Sequence, residues 1–343
     1  MGEDMKNESI TVVGGGGWGT ALAVHLAKKG YSVDLWVREP EVAAEIAERR
    51  TNSRFLPGVA IPPNVTADSD LGRVAKKEPC LIVMAVPTHG LRSVAVEMRG
   101  HFRYPLPVVV NVAKGLEVGS GMLPTAVLEE ALGIAASGLC VLSGPSLAEE
   151  VGRGVPTAVV AASKRVEVAE KVQSVFFSPR FRVYSHDDVL GVELGGALKN
   201  IIAIACGIGD GIGFGDNTRA ALMTRGLAEI TRLGCALGAR RETFWGLAGL
   251  GDLIVTCTSD LSRNRSLGKR IGQGESMQSI VSGMSQVAEG VRACQAAWQI
   301  ARERGVAMPI TEQAHGVLFE NKSPSAALQD LLLREPRPEE DKN

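Results

Sequence analysis

The six residues Gly14-Gly15-Gly16-Gly17-Trp18-Gly19 narrow the folds open to this chain more than any other stretch. They follow Ser9-Ile10-Thr11-Val12-Val13, which reads as a short buried strand. They precede residues 20–29, whose apolar spacing reads as a helix closed by Gly30. A G-x-G-x-x-G run alone is a weak signal, but between a strand and a helix it points to a dinucleotide-binding turn. Gly14 permits the tight turn, Gly16 lets a pyrophosphate approach the backbone, and Gly19 lets the helix pack on the strand. The helix N-terminus then offers unpaired N–H groups and positive dipole to phosphates.

The next strand, residues 32–37, ends in Val37-Arg38-Glu39. This is the distance from the glycines at which a ribose-binding acid is usual. Arg38 suits a 2′-phosphate and Glu39 suits a ribose hydroxyl; the competing reading of Arg38 is an exposed loop arginine. Residues 80–86, 108–112 and 139–142 are continuous apolar runs, as strands covered on both faces require. They lead into Pro87-Thr88-His89, Ala113-Lys114-Gly115 and Ser143-Gly144-Pro145-Ser146. Ligands of open α/β sheets sit beyond the carboxyl ends of strands, so Lys114 and the Ser-Gly-Pro-Ser turn are candidate site residues. The expected fold is α/β, with a Rossmann-type doubly wound N-terminal domain over residues 8–188.

Beyond residue 188 the strand alternation stops. Residues 189–207, 218–237, 262–272, 290–305, 311–319 and 325–333 read as helices, which predicts an all-helical C-terminal domain over residues 189–335. Its first helix carries Leu194-Gly195-Gly196-Ala197-Leu198-Lys199-Asn200, where Lys199 is the only charge between Glu193 and Asp210. A hydrated ammonium is costly to bury unless compensated, and two glycines inside a helix suggest a close approach to its backbone. Residues 210–217 and 249–265 read as loops. The second contains Asp252 and ends in Ser262-Arg263-Asn264-Arg265. Ser262 is a good helix N-cap, which leaves Arg263 in the first turn, where a bound anion would offset its conflict with the dipole. Asp252 is either a second N-cap or the partner of a buried cation.

Together these groups suggest hydride transfer to a ketone. Such a reaction needs a proton for the developing alkoxide, and a lysine supplies it if burial and a second ammonium lower its pKa. Lys199 fits the donor, Lys114 the second ammonium and Asp252 the anchor. Arg263 and Asn264 at a helix start fit an anionic handle on the substrate.

Other classes are disfavoured. A formal net charge of −1 argues against a nucleic-acid binder driven by bulk charge. The six cysteines are scattered without C-x-x-C, as expected of reduced thiols, and the five histidines lack ligand spacing, so no metal is expected. No run approaches the ~18 apolar residues of a membrane span, and residues 1–9 are too polar for a signal peptide.

Six ordered stretches resemble the bacterial NAD(P)-dependent glycerol-3-phosphate dehydrogenases: residues 14–23, 113–117, 143–146, 193–200, 249–252 with Cys257-Thr258, and 262–265. The resemblance implies interconversion of dihydroxyacetone phosphate and sn-glycerol 3-phosphate in the cytoplasm, for phospholipid synthesis, by a homodimer. It implies that Lys199 is the proton acceptor. It implies that Lys114, Gly144, Ser146, Asp252, Ser262, Arg263 and Asn264 contact substrate. It implies that Gly17, Trp18, Arg38, Ala148, Val287 and Glu289 contact NADP or NAD, with Lys114 and Arg263 shared and NADPH favoured. Gly17 departs from a common Ser, and Leu147 from a common Phe. The rival readings are a β-hydroxyacid dehydrogenase, which would not need the anion site at residues 262–265, and a nucleotide sensor, which would not need Lys114, Lys199 and Asp252 together.

Overall fold

The computed structural model describes residues 8–282, 289–336 and 338–339. Its first half alternates β1 (Ser9–Val13), α1 (Gly17–Lys28), β2 (Ser32–Trp36), α2 (Pro40–Arg49), β3 (Val65–Asp68), α3 (Leu71–Ala75), β4 (Leu81–Met84), α4 (Thr88–Met98), β5 (Val108–Asn111), α5 (Pro124–Leu132), β6 (Leu139–Ser143), α6 (Ala148–Arg153), β7 (Thr157–Ala162), α7 (Val166–Phe176) and β8 (Phe181–His186). The strands form one sheet in the order β3-β2-β1-β4-β5-β6-β7-β8, with only the β6–β7 pair antiparallel. The chain leaves β1 toward one edge and returns to β4 on its other side, so the carboxyl ends of β1 and β4 bound the switch point of a doubly wound sheet.

Alternation along the strands explains the double winding. Ile10, Val12, Leu81, Val83 and Val110 pack on one face against apolar residues of α1, α2 and α7. Val13, Ile82, Met84 and Val109 pack on the other against α3, α4 and α5. A strand with both faces covered must be apolar throughout, as β4 is.

The second half is helical: α8 (Val189–Ile212), α9 (Asp216–Ala236), α10 (Asp252–Thr258), α11 (Arg263–Gly272), α12 (Met277–Ser282), α13 (Glu289–Arg304), α14 (Pro309–Phe319) and α15 (Pro324–Leu332). Asp188 caps α8 by accepting from the Gly191 N–H. The helix then runs 24 residues through the centre of the domain. By length and composition α8 could cross a membrane, with a mean hydropathy of 1.6, which corrects the expectation that no run approaches that length. In this fold 83% of its apolar 18-residue stretch is buried against protein, so its apolarity serves a core.

The length of α8 is the main local surprise. It does not stop near Gly207 but continues past Asp210, which receives Arg219 and Arg265 on its two carboxylate oxygens. The glycines there serve packing. A Cβ on Gly207 would lie 2.1 Å from the Arg265 carbonyl oxygen, and one on Gly268 would lie 2.1 Å from that of Ile204. Gly211 and Gly272 repeat the contact one turn on. Each helical glycine costs roughly 1 kcal/mol in propensity, offset here by backbones that touch. β3, α6, α10 and α12 are further elements that the sequence reading passed over. Each has four to seven residues, too short for periodicity to register.

Gly268→Ala is expected to lower the unfolding free energy by roughly 1–3 kcal/mol, because backbone on both sides cannot yield. Urea denaturation checks this; an unchanged midpoint and slope would mean that α8 and α11 are not in backbone contact.

Candidate active site

The site forms where α8 passes the carboxyl ends of β5 and β6. Lys199 is buried on α8 and Asp252 is buried at the first position of α10. Lys114 comes from the loop after β5. The Asp252 carboxylate takes one lysine on each oxygen: Lys199 on Oδ1, and Lys114 on Oδ2 at 2.7 Å. The N-cap reading of Asp252 is thereby set aside, since Gly251 occupies the cap position and has no side chain to offer.

Lys114 spends all three of its N–H bonds on protein. Besides Asp252 it donates to the Gly144 carbonyl at 2.9 Å and to Ser146 Oγ at 3.3 Å. Gly144 has φ +136°, and a Cβ there would lie 3.0 Å from Val159 Cα, so the turn that presents its carbonyl requires glycine. Lys199 is bound differently. Its ammonium donates to Asp252 and, at 2.7 Å, to Thr256 Oγ1, which in turn donates to the Asp252 carbonyl at 2.6 Å. Among the described residues only these two accept from it, so one N–H remains for a reacting oxygen. Thr256 is a site residue that the sequence reading did not assign. It lies four residues after Asp252, on the same helical face, a relation visible only once α10 is known to be a helix.

Burial lowers the Lys199 pKa to about 8; Asp252 raises it and the Lys114 ammonium lowers it further. The direction follows from desolvation of a charged group, which a shared carboxylate only partly offsets.

The two glycines before Lys199 have separate partners. A Cβ on Gly196 would lie 2.8 Å from Ser143 Oγ and 3.4 Å from Lys114 Cγ, so this glycine admits the sheet domain. One on Gly195 would lie 2.6 Å from the Ala248 carbonyl, within the helical domain, so the close approach that two glycines suggest is made to two different parts of the protein. Ser143 Oγ is buried there without a hydrogen-bond partner among the described residues.

One turn further on, Asn200 meets the start of α11. Asn264 donates to Asn200 Oδ1 at 2.9 Å and accepts from the Gly290 N–H at 3.0 Å. Ser262 is the N-cap of α11, accepting from the Arg265 N–H at 3.3 Å. Arg263 occupies the first helical position, and its charge is felt by Glu289. Glu289 accepts from the Thr88 N–H at 3.1 Å, so α13 meets the start of α4 at the switch point. Arg265 belongs to the packing of α11, since it binds Asp210 and Asp260.

The dinucleotide turn has the geometry its glycines predict. Gly14 has φ +120°, and a Cβ on it would lie 2.7 Å from the Ala85 backbone; one on Gly19 would lie 1.9 Å from the Gly14 carbonyl. A Cβ on Gly16 would meet nothing within 4 Å among the described residues, so their packing does not explain that glycine, whereas room for a ligand does. Among the described residues no side chain caps α1, and Trp18 Nε1 is buried in its first turn without a hydrogen-bond partner. These features fit a bound dinucleotide phosphate. Gly17 lies under the Phe55 carbonyl, 2.6 Å from where its Cβ would be, with Ala148 next at 3.7 Å. A serine here would need that loop to shift. Arg38 is exposed at the end of β2 and paired with Glu39 at 2.8 Å. Val287 lies outside the described residues.

Two family profiles match the chain: NAD-dependent glycerol-3-phosphate dehydrogenase N-terminus over residues 9–169, and the corresponding C-terminus over residues 188–329. The chain is 48% identical to glycerol-3-phosphate dehydrogenase (NAD(P)+) of Geobacter metallireducens, over 97% of this chain and 99% of that protein. It is 51% identical to the enzyme of the same name from Moorella thermoacetica, over 97% and 98%. The solved structure of glycerol-3-phosphate dehydrogenase from Coxiella burnetii superposes with a TM-score of 0.90 at 39% identity, covering 95% of this chain and 99% of that one.

The shared carboxylate makes an opposed pair of predictions. Asp252→Asn is expected to lower the Lys199 pKa below its value of about 8, and Lys114→Met to raise it, both read by NMR titration of labelled lysine side chains. Shifts of the same sign in both variants would mean that Lys199 does not feel the two charges as placed.

Proposed function

The chain belongs to the NAD-dependent glycerol-3-phosphate dehydrogenase family, and on that premise we propose how its residues interconvert dihydroxyacetone phosphate and sn-glycerol 3-phosphate. It is an oxidoreductase that uses NAD or NADP. The observation that carries the mechanism is the Lys199 ammonium, buried, anchored on Asp252 and Thr256, with one N–H left over. When bound, the reduced nicotinamide supplies the hydride. Lys199 donates a proton to the substrate oxygen as the carbonyl carbon accepts that hydride, and takes it back in the oxidation. Asp252 holds Lys199 in line and keeps it charged enough to donate. Lys114, fixed by Gly144, Ser146 and Asp252, places a second positive charge where alkoxide charge develops, the preorganised electrostatics such a step needs.

Ser262, Arg263 and Asn264, at the start of α11, bind the substrate phosphate, where dipole and guanidinium act together. Gly14, Gly16, Gly17, Trp18, Gly19 and Ala148 line the dinucleotide, with Glu289 contributing from the helical side. Arg38 exchanges Glu39 for a 2′-phosphate, which favours NADPH. We further propose that the enzyme works as a cytoplasmic homodimer supplying glycerol 3-phosphate for phospholipid synthesis.

The pH dependence follows from the sign of the Lys199 shift. Reduction needs the ammonium and oxidation the free amine. So kcat/KM for dihydroxyacetone phosphate is expected to fall about tenfold per unit above pH ~8, and kcat/KM for glycerol 3-phosphate to fall likewise below it. Profiles lacking an inflection within a unit of that value would remove Lys199 from the proton transfer.

Steady-state oxidation of NADPH tests the substrate assignment. Arg263→Ala is expected to raise the KM for dihydroxyacetone phosphate by about 10- to 100-fold, far more than the KM for NADPH, as loss of a charged hydrogen bond should. Equal activity of the parent enzyme on a phosphate-free hydroxyacid would overturn the assignment in favour of a β-hydroxyacid dehydrogenase.

A further inference from the structure

Glu193 is a buried carboxylate that the mechanism above does not use. It sits on α8, six residues before Lys199, and is 4% exposed. No ion pair to Glu193 occurs among the described residues. Burial pushes its pKa up to about 7, and hydrogen bonds from Thr125 and Asn111 oppose the shift. A carboxylate in such a place is expensive unless it does something an apolar side chain could not.

Its partners show what that is. Oε1 accepts from the Thr125 N–H at 3.0 Å and from Asn111 Nδ2 at 3.2 Å, and Oε2 accepts from Thr125 Oγ1 at 2.5 Å. Asn111 is the last residue of β5. Its side chain grips the backbone of Ala113 twice, accepting from the N–H at 3.0 Å and donating to the carbonyl at 3.1 Å. Ala113 immediately precedes Lys114. Thr125 lies in the first turn of α5, whose N-cap Leu123 contributes no side-chain bond. One carboxylate from the helical domain therefore holds both ends of the sheet-domain loop that carries Lys114. The same helix carries Lys199, about 9 Å further along its axis at 1.5 Å per residue.

We propose that Glu193 is a positioning residue for hydride transfer. By clamping Asn111 and Thr125 to α8, it fixes the Lys114 ammonium relative to Lys199 and Asp252. This rests on the function proposed above. The role requires an acceptor with two oxygens directed at three donors, which glutamate supplies and alanine does not. Glutamine supplies most of it, since its amide oxygen accepts from Thr125 N and Asn111 while its amide nitrogen donates to a turned Thr125 hydroxyl.

The test is a double-mutant cycle with Lys114, read in the full-length enzyme with dihydroxyacetone phosphate and NADPH. Glu193→Ala is expected to lower kcat by about 10- to 100-fold, the scale of a misplacement near 1 Å, while the KM for NADPH stays within about threefold. Glu193→Gln is expected to recover most of the lost rate. In a Lys114→Ala background, Glu193→Ala is expected to cost less than about twofold more, because the group it positions is already gone. Asn111→Ala breaks the clamp from the sheet side and should behave in the same way, which keeps the test decisive if Glu193→Ala does not fold. A lowered melting temperature with unchanged kcat, or losses that simply multiply with Lys114→Ala, would overturn the proposal and leave Glu193 a packing residue. NMR titration of Lys199 separates this from failure of the functional reading. Glu193→Ala should move the Lys199 pKa, as Lys114 swings away, whichever substrate the enzyme takes. An unmoved Lys199 would overturn the positioning role alone.

Discussion

Two ammonium groups share one buried carboxylate, and the rest of the molecule is arranged around that fact. Among the described residues Asp252 forms ion pairs only with Lys199 and Lys114, and Lys199 could not be buried without it. The three come from different parts of the fold: the loop after β5, the first helix of the second half, and a short helix further on. Because Lys114 belongs to one half and Lys199 and Asp252 to the other, the ion triad is also a bond between the halves. Burial lowers the Lys199 pKa to about 8, with the Asp252 charge opposing that shift and the Lys114 charge adding to it.

Holding three charges in register requires a stiff frame, and α8 supplies it. Glycine normally loosens a helix, yet here it lets backbones meet. Gly207 and Gly268 bring α8 and α11 into contact, Gly195 admits the segment leading into α10, and Gly196 admits Ser143 and Lys114. The same helix delivers Glu193 to β5 and α5, Lys199 to Asp252, Asn200 to Asn264 and Asp210 to Arg265. Sheet, Lys199 and the start of α11 are thus fixed to one rod, and small displacements along it are resisted by packing on every side.

Much of this was legible in the residues. The glycine turn, its flanking strand and helix, and the apolar runs of β4, β5 and β6 specify a doubly wound sheet. Lys114 and the Ser-Gly-Pro-Ser turn stand at strand ends, as ligand-facing residues do. Lys199 drew notice as a lone charge in an apolar helix, and the structure buries it. Less legible were Thr256 and Asn111, whose importance lies wholly in what they touch, and Asp252, whose surroundings looked like a loop. The reach of α8 past Gly207 was hidden because its glycines imitate a helix end.

The sequence by itself determined local geometry and the presence of chemistry: where the backbone must turn through positive φ, which strands are covered on both faces, and which charges cannot be solvated cheaply. Those properties depend on a residue and its near neighbours, so spacing and composition reveal them. Tertiary structure alone decided which charge answers which. Asp252 lies 53 residues from Lys199 and 138 from Lys114, and the pairing rests on glycine faces that let helix and sheet approach until one carboxylate reaches both. Such a choice is made by packing in three dimensions, and no periodicity along the chain records it.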